Sequence, residues 1–167
     1  IATSVGWATG AMVVGSNYTA TSSGAFGRSY YGNTGQKYDN GTNSGASYIF
    51  SGATFTTQNK ITPTGAAAND NFGWSVGLSN NTAVVGARYK NSAKGAAYIF
   101  TQAGGVWTQY GTVLQPTGTS TADQYGYAVS VNSNTVAVGA YRDNLNGVNA
   151  GSAYFYQMLA QPQSASA

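Results

Sequence analysis

The acidic side chains of this 167-residue chain are Asp39, Asp70, Asp123 and Asp143, and it contains no His, Cys or Glu. Nucleophilic and general acid–base mechanisms need a base held against a reacting group, and the residue types that most often serve are missing. Glycoside cleavage would require two of the four carboxylates across one cleft. Asp70 and Asp123 instead open two copies of one pattern, "DNFGWSVGLSNNTAVVGA" (70–87) and "DQYGYAVSVNSNTVAVGA" (123–140), so they fall on successive units and suit the capping of a turn. Zinc lacks its usual His and Cys ligands, and neither a P-loop nor a strand-linked GxGxxG occurs. For calcium, "RDNLNGVN" (142–149) offers Asp143 among asparagines, a lone carboxylate where six to eight oxygens are wanted. The other reading of Asp143 is an Asx-stabilised loop. The expectation is a protein that is not an enzyme and carries no cofactor.

The elements that hold these residues follow from the repeat. Superposed without a gap, the two copies pair Phe72 with Tyr125, Gly73 with Gly126, Val76 with Val129 and Gly86 with Gly139. A third copy, "SVGWATGAMVVGSNY", places Ser4, Val5, Val14 and Gly15 where Ser75, Val76, Val85 and Gly86 stand. Each continues into a shared element: "GASYIF" (45–50), "GAAYIF" (95–100) and "GSAYFY" (151–156). Val76 and Leu78, like Val129 and Val131, alternate with small or polar neighbours, the period of a half-buried strand. The unbroken Ala83-Val84-Val85 suits a strand covered on both faces. Asn80-Asn81 and Ser133-Asn134 suit tight hairpin turns. Further strands are expected at Tyr98-Ile99-Phe100 and from Val106 to Leu114, and helix signals are nearly absent.

The predicted fold is all-β, with three tandem four-stranded antiparallel blade-like repeats: 1–65 with an insertion at 17–44, 66–118 and 119–160, then a tail or inter-subunit linker at 161–167. A period of about 50 residues marks blades or arrays whose neighbours bury one another's faces. Gly15, Gly73, Gly86, Gly126 and Gly139 read as strand-end positions where close approach or positive φ excludes a Cβ.

Phe72-Gly73 followed by Gly86-Ala87, and Tyr125-Gly126 followed by Gly139-Ala140, resemble the FG-GAP repeat. The resemblance implies blades of a β-propeller, as in integrin α-chain heads, secreted adhesion proteins and some lectins. The first copy keeps Gly15 without the Phe-Gly, and Arg88 and Tyr141 stand where the family often has Pro. The alternating aspartates of many members' calcium loops are missing from "RYKNSAKG". Propellers close with about four to eight blades, so three imply a homo-oligomeric ring, a fragment of a larger protein, or an open stack. The tail "QPQSASA" read into the head "IATSV" imitates the inter-repeat text "QPTGTSTADQYGYAV", which favours head-to-tail association.

Only 7% of residues are charged, and the seven cations are scattered, which argues against a nucleic-acid partner. No apolar run approaches the roughly 20 residues of a membrane span. Sequons at Asn17, Asn40 and Asn80 and a Ser/Thr-rich surface point to an extracellular or cell-surface glycoprotein. Within the insertion, Tyr30, Tyr31 and Tyr38 are candidate ligand contacts or the loop's own packing. Trp7, Trp74 and Tyr127 are candidate platforms for a sugar, while Trp7, Trp74 and Trp107 also read as inter-sheet packing. Two function classes remain. One is a non-catalytic extracellular structural protein that self-associates head-to-tail and presents a polar, glycosylated surface. The other is a lectin-like or adhesive module recognising carbohydrate or a cell-surface protein.

Overall fold

A computed structural model describes residues 4–8, 11–16, 41–51 and 57–159; for 4–8, 11–16 and 57 it describes the course of the backbone. The first sheet contains β1 (Ser4–Ala8), β2 (Ala11–Ser16), β3 (Ala46–Ser51) and β4 (Thr57–Ile61), hydrogen-bonded in that order. The second repeats the arrangement with β5 (Phe72–Ser79), β6 (Thr82–Ala87), β7 (Ala96–Ala103) and β8 (Val106–Leu114). The third has three strands among the described residues, β9 (Tyr125–Asn132), β10 (Thr135–Ala140) and β11 (Ser152–Gln157), with β10 central. All pairings are antiparallel. The expected fourth strand of the last repeat lies beyond β11, and residues 160–167 are outside the described set.

The hairpins form where the turn residues predict. Asn80 and Ser133 adopt φ of 48° and 51°, a left-handed conformation that Asn tolerates better than most residues. Between β6 and β7 a single turn, α1 (Lys90–Ala93), departs from the all-strand expectation, and it is left-handed: Asn91, Ser92 and Ala93 have φ of 52°, 60° and 64°. Each such residue costs roughly 1–2 kcal/mol. The turn is held by N–H groups of Ala93 and Gly95 donating to the carbonyls of Tyr89 and Lys90, both at 3.0 Å.

The sheets stack in chain order, and the middle one is covered on both faces. Alternation along β6 sends Ala83 and Val85 into a cluster with Ile49, Ile61, Leu78 and Phe100 between the first two sheets. Val84 faces the other way, to Ile99, Val136 and Val138 between the second and third. Both clusters are apolar layers of the kind that sheet-on-sheet packing requires.

The sheets also meet backbone to backbone. The Phe72 N–H donates to the Ser44 carbonyl at 2.9 Å, and Asn71 N–H to Asn43 at 3.1 Å, joining β5 to the entry of β3. One repeat later, Tyr125 and Gln124 donate to the carbonyls of Lys94 and Ala93, each at 2.9 Å. Gly45 with Phe72, and Gly95 with Tyr125, form parallel bridges across these seams. The two aromatic side chains are fully buried and turn back onto their own sheets. Phe72 meets Tyr98 edge-on at 5.6 Å, and Tyr125 meets Tyr154 at 5.3 Å. At the second seam a Cβ on Gly86 would overlap the carbonyl of Gly126, and the Ser75 hydroxyl donates to that same oxygen at 2.8 Å. The expected close approach fails at Gly139. A Cβ there would meet Ala128 at an ordinary 3.7 Å, because no further sheet packs on that face among the described residues.

Replacing Gly86 with Ala is therefore expected to cost on the order of 3 kcal/mol in urea unfolding, since backbone, not a flexible side chain, must yield. Gly139→Ala should change stability by less than about 0.5 kcal/mol. Equal losses at the two positions would contradict the seam.

Candidate functional site

The loops that enter β5, β7 and β9 and leave β6 and β10 gather at one edge of the stack. Asp70 and Asp123 shape them. The Asp70 carboxylate accepts the Ala67 N–H at 2.8 Å, and the Asp123 carboxylate accepts the Ser120 N–H. Both close the turn before an aromatic-glycine pair, as their spacing predicts. Asp70 also pairs with Lys90 at 2.8 Å, and Lys90 donates to the Gly65 carbonyl at 2.5 Å. Asp123 accepts instead from the Asn144 amide at 3.3 Å.

Asp143 is buried, and its oxygens are engaged. One accepts the Leu145 N–H at 2.9 Å, two residues on, and the other accepts the Tyr154 hydroxyl. The Leu145 contact is the geometry of an Asx-stabilised loop. Burial pushes the Asp143 carboxyl up, but hydrogen bonds from Tyr154, Leu145 N–H and Ser152 outweigh it and hold the group below the usual carboxylate range. Burial and the neighbouring carboxylate push Tyr154 up to about 12. Among the described residues no three His, Cys, Asp or Glu side chains converge on a common point.

Beside Asp70 opens a cleft of about 880 Å³ between the loop of Asn43, the segment Ala67–Asn71 and the left-handed turn. Trp74 and Arg88 form its inner wall. The Arg88 guanidinium lies 3.4 Å from the centroid of the Trp74 ring, 4.4 Å from Tyr89 and 5.7 Å from Tyr127. It donates through Nη1 to the Gln124 side chain at 3.2 Å, and its Nε is buried without a partner. From Trp74 the rings continue across the seam, 5.8 Å to Tyr127 and 4.6 Å from there to Tyr141, over which Arg142 sits at 5.2 Å.

Of the sequence candidates, Trp74 and Tyr127 are brought together, one from each of two adjacent sheets. Trp107 packs against the core, as the packing reading of that residue has it. Asn80 is exposed at the hairpin tip on the opposite edge. Asn17, Asn40, Tyr30, Tyr31 and Tyr38 lie outside the described residues, and for Gly15 and Trp7 only the backbone is described. Phe72, Gly73, Tyr125 and Gly126 lie at the start of β5 and β9, and Gly86 and Gly139 near the ends of β6 and β10. Sequence reasoning missed the stacking of Arg88. A signal was present: after Gly-Ala, one copy reads Arg88-Tyr89 and the next Tyr141-Arg142, a cation and a ring in both.

The depressed Asp143 ionisation stabilises the fold above the ordinary carboxylate pKa of about 4, and that stabilisation is lost as pH falls through the lower folded value. Tyr154→Phe should lower stability near neutrality by about 1–2 kcal/mol, with the gap from the parent narrowing below about pH 4. Thermal melts between neutral and acidic pH check this, and a gap that stays constant or widens in acid would contradict it.

The FG-GAP repeat family matches residues 55–100 and 107–156, more than half of the chain. No curated protein matches it significantly. The first match runs from β4 into β7 and the second from β8 through β11, so each strings the last strand of one sheet to the first three of the next. The family pattern thus spans the seams at which Phe72-Gly73 and Tyr125-Gly126 dock, and the chain belongs to the FG-GAP repeat family.

Proposed function

We propose that the chain is a non-catalytic extracellular or cell-surface module that works by association, the leading sheet of a second copy docking on the outer face of the third sheet. The observation that carries this reading is Phe155. It holds the place on β11 that Ile49 holds on β3 and Ile99 on β7, and those two are 0% and 4% exposed whereas Phe155 is 73% exposed. Around it the face offers Ala137, Gly139 and Ala153, small and uncharged like a covered face. Gly139 and Gly151 stand where Gly86 and Gly95 receive the next sheet. Ala128 replaces Ser75, so a docked sheet would forgo that one side-chain hydrogen bond. Covering Phe155 would contribute roughly 1.5–3 kcal/mol.

Family membership supports a binding or adhesion role of the propeller type, and FG-GAP repeats occur mostly in extracellular or cell-surface proteins. Repetition of the contact closes a propeller-like ring if the rotation per sheet completes a turn, and otherwise runs on as a filament. The exposed Asn80 tip, on the edge away from the cleft, is the described position at which a glycan would leave both surfaces free.

Sedimentation velocity across a wide concentration range tests the reading. The parent chain should gain mass with concentration. Gly139→Val and Phe155→Ser should remain monomeric with unaltered unfolding at low concentration. A parent that stays monomeric throughout, or a Gly139→Val variant that associates as well as the parent, would overturn it.

A further inference from the structure

We propose that the cleft at Arg88, with the row of rings leading to Arg142, binds an acidic polysaccharide. This goes beyond the association reading and uses a different edge of the stack. Four observations converge on it. First, Arg88 and Arg142 have no carboxylate partner among the described residues, whereas the neighbouring Lys90 is neutralised by Asp70. Second, the Arg88 guanidinium is clamped over Trp74 and tied to Gln124, so little side-chain freedom remains to be lost when an anion arrives. With Nε buried and Nη1 donating to Gln124, the guanidinium would meet an anionic group through its remaining Nη donors.

Third, the rings between the two cations are available. Tyr127 and Tyr141, on the way from Arg88 to Arg142, are 37% and 46% exposed, and Tyr89, against Arg88, is 39% exposed. Tyr127 and Tyr141 present partly exposed rings one after the other, an apolar surface that suits the C–H faces of consecutive sugar rings. Fourth, the cleft beside them is walled by side-chain amides: Asn43 donates to Asn69 at 3.3 Å, and Asn71 donates to the Asn43 carbonyl at 3.2 Å. Amides that donate and accept at once suit sugar hydroxyls. The far wall is the left-handed turn at 91–93, a costly conformation of the sort that collects at binding sites.

An extended polymer with an anionic group on its sugars matches a row with a cation at each end and rings between. A neutral glycan would leave both arginines unanswered. Nucleic acid would call for a track of cations along its backbone, and the row carries two.

Isothermal titration of the full chain at physiological salt tests this with three probes: an oligogalacturonate, a sulfated dextran oligomer and a neutral cello-oligosaccharide. One or both anionic probes should bind, and their relative strength tells carboxylate from sulfate ester as the recognised group. The neutral probe should bind at least about tenfold more weakly. Arg88→Gln, Arg142→Gln and Tyr141→Ala should each weaken anionic binding by roughly tenfold. Lys60→Gln, which removes an exposed charge from β4 outside the row, should leave it unchanged. Arg142 and the exposed Tyr141 keep the test open should Arg88→Gln fail to fold. Failure of both anionic probes to bind would overturn the proposal. So would equal binding of the neutral probe, an equal loss in Lys60→Gln, or row variants that bind like the parent.

Discussion

At each seam between sheets, two backbones come closer than any side chain permits. A Cβ on Gly95 would overlap the carbonyl of Tyr125, and one on Gly126 would overlap that of Ala96. This exclusion is steric and short-ranged, and it sets the spacing at which the apolar faces meet. Hydrogen bonds from Phe72 and Tyr125 to the preceding sheet then satisfy donors that burial would otherwise leave unpaired. Glycine supplies the room, and the aromatic residue beside it plugs the layer that the contact creates.

The rest of the architecture follows from that spacing. With the seams fixed, β6 must present apolar residues on both faces, and Ala83, Val84 and Val85 are all fully buried. Charge has little place in such a stack. Among the described aspartates, Asp70 and Asp123 do turn-closing work at the edge, receiving backbone N–H groups immediately before each docking pair. Closing those turns fixes the direction from which Phe72 and Tyr125 enter. The same edge therefore carries the loops that build the cleft, and recognition there is coupled to the packing of one sheet on the next. Trp74 and Tyr127 belong to different sheets, and their 5.8 Å separation exists because the seam between them is closed.

Much of the strand pattern was legible from the chain. The alternation of Val76 and Leu78, the unbroken Ala83–Val85 run and the Asn80 and Ser133 turns each mark a local backbone requirement, and local requirements leave local traces. The capping role of Asp70 and Asp123 was legible for the same reason. The left-handed turn was not, because Asn91-Ser92-Ala93 has no glycine to announce it; hydrogen bonds within the turn, and one from the Gln124 N–H to the Ala93 carbonyl, hold it. Gly139 misled: its repeat position implies a close approach that only a following sheet would create. The row from Arg88 to Arg142 was the least legible, since it joins residues 54 positions apart whose order of cation and ring is reversed between copies.

Native-state amide hydrogen exchange at Tyr125 tests the central claim most directly, because this N–H belongs to the third sheet but donates to Lys94 of the preceding repeat. If the seam holds the stack together, Tyr125 should exchange only by global unfolding, with protection equal to that of Val136 and Val138 in the centre of β10. Rapid exchange at Tyr125 while β10 stays protected would mean that the sheets are separately stable and merely adjacent, and the seam could not be the interaction on which the fold depends.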